Sequence, residues 1–320
     1  MLKFLNDNNG DLLQKKRLVK FFVAAAAFML IAIAYNPSQY YYADLLVSLR
    51  MPLLVIALCF AMLLLIIKAT YLGGSLSIIC LISLSSLLPL HSLPSEQTKN
   101  AISIKQINLN YSNPFIESHL VRLQKQSWDV LILQEFSDLN RHLLSRFLTK
   151  ASLFGYREVE GIPYGIVVIS RLPIIYRQQV KLQGDRLGYI KLRLLFNNEV
   201  ITTYIAHPPS PRTKQHWENR NILLAALHAA TIQEQTPWLI AGDLNIVPWS
   251  RYFSWQSTQS CYGAIPYSSF MPLNIKPTLL TGLPIDHCVF DEQFTLNSLI
   301  VSNFAGSDHK MLSYSLSLHD

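Results

Sequence analysis

Apolar positions follow two regimes along this 320-residue chain. Between Phe21 and Leu90 they run nearly unbroken, whereas from about residue 95 they arrive in short bursts divided by polar turns. In the second regime, Ala101–Asn110 alternates around Ile102 and Ile104, which predicts a strand ending in Asn108-Leu109-Asn110. Phe115–Lys125 spaces Ile116, His119, Leu120 and Leu123 as one face of a helix. Trp128–Leu133 and Gly165–Ser170 are continuous apolar runs, as in strands covered on both faces, and they end at Gln134-Glu135 and Arg171-Leu172-Pro173. Leu139–Leu153, between them, reads as a helix.

Further on, Tyr189–Phe196 and Val200–Ala206 predict a hairpin turned at Asn197-Asn198, whose second arm stops at His207-Pro208-Pro209. Trp217–Thr231 predicts a helix, and the short strand Trp238–Ala241 ends at Gly242 and presents Asp243 and Asn245. An irregular, aromatic-rich stretch then leads to Ile285-Asp286-His287 and the apolar Cys288–Phe290, and Gly306-Ser307-Asp308-His309 precedes a strand over Met311–Leu318. Buried strands interleaved with a few helices predict an α/β fold. We expect a four-layer α/β sandwich, two packed β-sheets flanked by helices, over residues 95–320, preceded by an N-terminal transmembrane helical region over residues 1–94.

In that N-terminal region, Phe21–Tyr35, Pro52–Ile67 (extended back to Leu45 past Arg50) and Ala69–Leu90 can each supply the roughly 20 residues that cross a bilayer. Further apolar runs and no small-residue cleavage site set the first run apart from a cleaved signal peptide. Lys15, Lys16, Arg17 and Lys20 precede the first run, Asn36–Asp44 has no basic residue, and Lys68 marks the next turn. Three spans with that charge pattern place the N-terminus in the cytoplasm and residues 95–320 outside it, whereas two spans would leave residues 95–320 in the cytoplasm. Arg50, on the outer side, runs against the pattern.

Composition sharpens this division. The formal charge is +7, but the first 94 residues hold seven Lys/Arg against three Asp, leaving 20 basic against 17 acidic residues beyond. The globular part is only mildly basic, so charge alone gives no argument for nucleic acid. Cys59 and Cys80 fall inside apolar runs and read as packing residues; Cys261 and Cys288 lie in the globular part, where spacing leaves open whether they pair. No Cys-X-X-Cys or His/Cys cluster suggests zinc.

The chemistry lies at the strand ends. Glu135, Asp243, Asp286 and Asp308 are joined there by Asn108, Asn245, His207 and His309. Oxygen donors without cysteine suit a hard divalent ion, Mg²⁺ or Mn²⁺, and a metal beside an acid that orients water is equipment for phosphoester hydrolysis. Any one of these residues alone reads equally well as a turn or cap.

Asn108-Leu109-Asn110, Gln134-Glu135, Ser170-Arg171-Leu172-Pro173, Gly242-Asp243-Leu244-Asn245, Ile285-Asp286-His287 and Ser307-Asp308-His309 resemble, in order, the motifs of the endonuclease/exonuclease/phosphatase superfamily. That is the fold of pancreatic deoxyribonuclease, sphingomyelinases and inositol polyphosphate 5-phosphatases. The resemblance implies that Glu135, with Asn108 and Asp308, holds Mg²⁺ and that Asp243 orients and deprotonates water. It implies that Asn245 contacts the phosphate, with Asn110 and Arg171 as further substrate contacts. Asp286 would pair with His309, which stabilises the charged transition state, and His207 occupies the place of a histidine acid. His207 departs from the abasic-site endonuclease branch, where a tyrosine is typical; His287 departs from the aromatic residue common after Asp286. The anchored layout resembles bacterial members, implying an inner-membrane location.

Three functions compete: an anchored nuclease or other phosphodiesterase, a lipid-headgroup phosphodiesterase or phosphatase, and a silent module that binds phosphorylated partners. Trp249, Tyr252, Phe253 and Trp255 would suit a bilayer surface in the second function, or the core in any of them. Nucleic acid or a lipid headgroup is the expected substrate and the bilayer the expected partner; nothing in the sequence points to a protein partner.

Overall fold

The structure is a computed structural model that describes residues 2–36 (backbone only for 2–13), 39–87, 100–147, 149–155, 165–182, 187–271 and 281–319. It divides into two units, Met1–Pro89 and Leu90–Asp320.

The first unit is four helices: α1 (Leu2–Ala34), α2 (Tyr41–Ser48), α3 (Arg50–Ile66) and α4 (Thr70–Ser86). Lys20 Nζ donates to Lys68 O at 3.1 Å and Arg50 Nε to Ala34 O at 2.8 Å, so α1 and α3 run antiparallel and are tied near both ends. Arg50 also lies 4.7 Å from the centroid of the Tyr35 ring. This cation, which runs against the charge pattern, is therefore engaged at the carbonyl end of α1, where positive charge is favourable. Ala27, Ala61, Leu64 and Leu76 are buried between the helices, while Phe28, Ile66 and Ile82 are exposed.

Among the described residues, one helix, Gln14–Ala34, is long and apolar enough to cross a membrane. The α2–α3 pair passes the same test only as a broken span bent by 68°, and the 17 residues of α4 form a shorter apolar helix. By length and composition the described residues thus offer one candidate span, or two with the bent pair, beside the three expected from the sequence. The polar stretch Ser92–Asn100, which reads as a linker from its sequence, lies, apart from Asn100, outside the described residues.

The second unit contains β1 (Ala101–Asn108), α5 (Ile116–Gln124), β2 (Val130–Gln134), a 3₁₀ helix (Asp138–Phe147), β3 (Ser152–Gly155), β4 (Val167–Ser170), β5 (Ile174–Leu182) and β6 (Leu187–Phe196). It continues with β7 (Glu199–Ala206), α6 (Lys214–Ile232), β8 (Trp238–Asp243), β9 (Gln259–Ser260), α7 (Cys261–Ala264), β10 (Asp286–Phe290), β11 (Phe294–Asn303) and β12 (Lys310–Leu318). The strands form two six-stranded sheets, in the orders β11-β12-β1-β2-β4-β3 and β5-β6-β7-β8-β10-β9. Ile102, Ile104 and Ile132 of the first sheet pack with Ile190, Ile205 and Ala241 of the second. Leu120, Leu123 and Leu144 cover the outer face of the first sheet, and Leu223, Leu224 and Leu227 of α6 cover that of the second. The four-layer sandwich is as expected.

Some elements differ from expectation. The segment expected to be helical over Leu139–Leu153 is a 3₁₀ helix ending at Phe147, and Ser152–Gly155 pairs with β4 as an edge strand. In the 3₁₀ helix only Leu144 and Phe147 are buried, too few to anchor a long helix. Strand β5 carries a mostly exposed, polar sequence, and its conformation comes from pairing with β6. The alternation of β11 is broken by a register shift between Leu296 and Ser298.

Strand direction decides what meets at one edge. The pairs β1/β2 and β7/β8 are parallel, so each delivers its C-terminal residues to the same edge of its sheet. Strands β10 and β12 run the other way and begin there, with Asp286 opposite Asp243. Strand β4 is antiparallel to β2, with Ser170 opposite Val130.

Cys261 and Cys288 form a disulfide joining α7 to β10, with their Cα atoms 5.4 Å apart and their positions 27 apart in sequence. Closing a loop of that length stabilises a fold by about 3 kcal/mol. Replacing both cysteines with serine in the full chain is expected to lower unfolding free energy by about that amount, read as an earlier midpoint in urea.

Candidate active site

At the converging edge, Asp243 sits at the centre, 1 % exposed. Asn108 Nδ2 bridges two carboxylates, donating to Glu135 Oε1 at 2.9 Å and to Asp243 Oδ2 at 3.1 Å. The same Asp243 oxygen lies 3.6 Å from His207 Nε2 and 3.7 Å from His309 Nε2. Its other oxygen accepts the Asn245 N–H at 2.9 Å. His309 is oriented from behind, since its Nδ1 meets Asp286 Oδ2 at 2.8 Å. Asn245 Nδ2 donates to Pro208 O at 3.0 Å. Glu135, Asn110 and Asn245 all have left-handed backbone, with φ of +52°, +62° and +53°. Non-glycine residues held in that region gather at functional sites.

The electrostatics divide the charged groups by role. Burial alone would raise the Asp243 pKa, but the charges of His309 and His207 and the Asn245 N–H outweigh it and hold the carboxyl below its ordinary value. Burial works against the His309 cation, yet Asp286 and Asp243 push the imidazole up to about 10. An ionised acid beside a persistent imidazolium can orient a water and neutralise a developing oxyanion. His287, by contrast, is lowered by burial; it bonds Ile246 O at 2.7 Å and packs on Phe253. It is a core side chain.

The structure gathers seven of the ten residues singled out from the sequence: Asn108, Glu135, His207, Asp243, Asn245, Asp286 and His309. Asn110 and Asp308 form a rim pair, Asn110 Nδ2 donating to Asp308 Oδ1 at 3.1 Å. Arg171, expected as a substrate contact, does not join them. It follows β4 at the opposite end of β2, lies 3.8 Å from the Trp128 ring centroid, and donates to Trp128 O at 2.9 Å. Because β4 runs antiparallel to β2, its C-terminal end is at the far edge.

Among the described residues, the acid and histidine ligand atoms that lie within 4.8 Å of one another belong to Asp243, Asp286 and His309. The 2.8 Å Asp286–His309 hydrogen bond occupies the imidazole Nδ1, an arrangement suited to holding a proton on that ring. The partly exposed Glu135 carboxylate, with the Asn108 amide against it, supplies hard oxygen chemistry suited to a divalent ion.

Several supporting residues had no assigned role in the sequence. Gln134, fully buried, accepts the Asp243 N–H at 2.8 Å and donates to Ala206 O at 3.0 Å. That second bond passes over Gly242, whose φ is +135° and where a Cβ would overlap Ala206 O. Ser269 Oγ accepts the Asp286 N–H at 3.0 Å and Tyr267 Oη donates to Asp286 O at 2.7 Å. A glutamine closing the otherwise apolar run Val130–Leu133 was the available signal for Gln134; Tyr267 and Ser269 lie in the irregular stretch and offered none.

The sequence profile of the Endonuclease/Exonuclease/phosphatase family matches residues 106–309. No curated protein matches the sequence. Among solved structures, a D. rerio TDP2 humanized by 14 mutations is similar at 14% identity with a TM-score of 0.55, covering 68% of this chain and 100% of that one. The human Nocturnin catalytic domain with bound sulfate is similar at 17% identity and 0.53, covering 70% and 97%. An endonuclease/exonuclease/phosphatase from Beutenbergia cavernae is similar at 17% identity and 0.53, covering 69% and 72%. At such identities the likeness establishes the fold alone.

The His309 shift fixes a sign. A pKa raised from 6.5 to about 10 means stability that is complete below about pH 6.5 and declines as pH rises toward 10. In EDTA-treated full chain, an NMR titration is expected to find the His309 ring protonated at pH 8. Asp286→Asn should move the midpoint back toward 6.5 and flatten the alkaline loss of stability.

Proposed function

The chain belongs to the endonuclease/exonuclease/phosphatase family of metal-dependent phosphoesterases, and we propose that it is a membrane-anchored, Mg²⁺-dependent phosphodiesterase of the nuclease type. The observation that carries this reading is the Asp243 carboxylate held between the Nε2 atoms of two histidines, at 3.6 and 3.7 Å. A phosphodiester needs its attacking water oriented, its oxyanion neutralised and its leaving alkoxide protonated. Asp243, kept ionised, accepts a hydrogen bond from the water and takes its proton as attack proceeds. The His309 imidazolium, aimed by Asp286, neutralises the charge growing on phosphorus-bound oxygen. His207, beside both Asp243 and Glu135, supplies the proton for the departing oxygen. Asn245 holds a phosphate oxygen. Glu135, with Asn108 and Asp308, would hold the Mg²⁺, which supplies Lewis-acid polarisation of the phosphate.

The lipid-headgroup reading loses its main support. Phe253 and Trp255 are 3 % and 2 % exposed, Tyr252 packs edge-on against Trp217, and Trp249 packs against the inter-sheet core. These aromatics are engaged inside the unit. For location, the Gln14–Ala34 helix and the Lys15–Lys20 charges support an anchor with a cytoplasmic N-terminus. The Cys261–Cys288 disulfide supports an oxidising, extracytoplasmic compartment for the catalytic unit, the bacterial periplasm in this reading.

The test uses full-length protein in detergent, with plasmid DNA, RNA, bis-p-nitrophenyl phosphate, sphingomyelin and phosphoinositides as substrates. Asp243→Ala and His309→Ala should each lower kcat by about 10²–10⁴-fold with an unchanged circular-dichroism spectrum. Glu135→Ala should shift the Mg²⁺ titration to higher concentration. EDTA-resistant turnover, or full rates in both variants, would overturn the assignment; cleavage of sphingomyelin or phosphoinositides alone would transfer it to the lipid reading.

A further inference from the structure

Helix α6 begins at a Thr213 cap, whose side chain accepts the His216 N–H, and packs Trp217, Leu223, Leu224 and Leu227 inward. Arg220 lies on that buried face and is 1 % exposed. Burying a guanidinium costs several kcal/mol unless its donors are well satisfied, so a leucine here would serve packing better. The Arg220 side chain is directed at the loop after β8. Its Nη1 donates to Asn245 O at 3.0 Å, while Nε and Nη2 both meet Asn221 Oδ1, at 3.0 and 2.8 Å.

Asn245 is the residue in that loop whose orientation matters most and which is hardest to hold. Its φ of +53° is unfavourable for a side-chain-bearing residue. Its N–H is taken by Asp243 Oδ1 and its side-chain Nδ2 by Pro208 O. The carbonyl is the remaining handle, and Arg220 occupies it. Trp217, one turn earlier on the same helix, packs on Tyr252 at 5.4 Å further along the loop.

We propose that Arg220 is a positioning residue for catalysis, locking the Asn245 peptide so that the Asn245 amide and the Asp243 carboxylate keep their mutual orientation at the phosphate. This rests on the reading of Asn245 as a phosphate contact. Lysine cannot replace it, because one ammonium cannot span the Asn245 carbonyl and the Asn221 amide as the planar guanidinium does.

The experiment is a double-mutant cycle on the full chain, with bis-p-nitrophenyl phosphate and saturating Mg²⁺. Arg220→Lys should lower kcat/KM by about 10–100-fold, the scale of a misplacement of about 1 Å. In an Asn245→Ala background the same change should cost less than about twofold, since the oriented group is gone. Asn221→Ala, which frees the far side of the guanidinium, should act in the same direction and keeps the test available if Arg220→Lys does not fold. Leu227→Val, a core change on the same helix, is the stability control and should leave kcat/KM within about twofold. Equal losses from Arg220→Lys in both backgrounds, or an equal loss from Leu227→Val, would make Arg220 merely structural and overturn the inference. If Asn245→Ala itself leaves kcat/KM unchanged, the phosphate-contact reading fails first and takes the inference with it.

Discussion

Three buried carboxamides tie the two sheets together along the edge where the site forms. Gln106 Nε2 donates to His287 O at 3.0 Å, Asn108 Nδ2 reaches Asp243, and Gln134 joins the Asp243 N–H to Ala206 O. Much of the remaining interface between the sheets is apolar and non-directional, and it fixes their separation more than their register; a further polar tie, Gln179 Nε2 to Gly155 O at 3.0 Å, joins β5 to β3. A buried amide left without its partner would cost roughly 1–3 kcal/mol, so these three contacts select one sliding position of sheet on sheet. The catalytic geometry depends on that choice, because Asn108 and Glu135 come from one sheet and His207, Asp243 and Asp286 from the other.

With the register set, the site becomes an arrangement of charges that only burial makes effective. Asp286, His309 and Asp243 form a line in which an imidazolium is flanked by two acids, and its pKa of about 10 reflects both. The cost of desolvating these groups is offset by fixed partners: Asn245 and Asn108 for Asp243, and Ser269 and Tyr267 for the Asp286 backbone. Glycine enters where such partners crowd. Gly306, with φ +80°, leaves room for Asn113, which donates to Leu109 O and Ala305 O and so steadies the turn before Asp308 and His309.

The sandwich was legible in the sequence because strands buried on both faces, such as Val130–Gln134, write themselves as unbroken apolar runs. Edge strands did not: β5 is mostly exposed and β3 is four residues long, so neither has a pattern of its own. The motifs at Asn108, Glu135, His207, Asp243, Asp286 and His309 were legible as polar residues closing or opening apolar runs. Arg171 has the same local signature and sits at the wrong edge, since strand direction is a property of pairing and no local sequence encodes it.

The sequence by itself determined the sandwich and pointed to the acids and histidines that gather at the candidate site, because hydrophobic periodicity and residue chemistry are local. Only the tertiary structure decided which strand ends share an edge, which aromatics are core, that Cys261 meets Cys288, and that Gln134 and Arg220 brace the site. Those outcomes depend on contacts between residues far apart in the chain, such as the 109 positions that separate Gln134 from Asp243, and such contacts exist only once the sheets have packed.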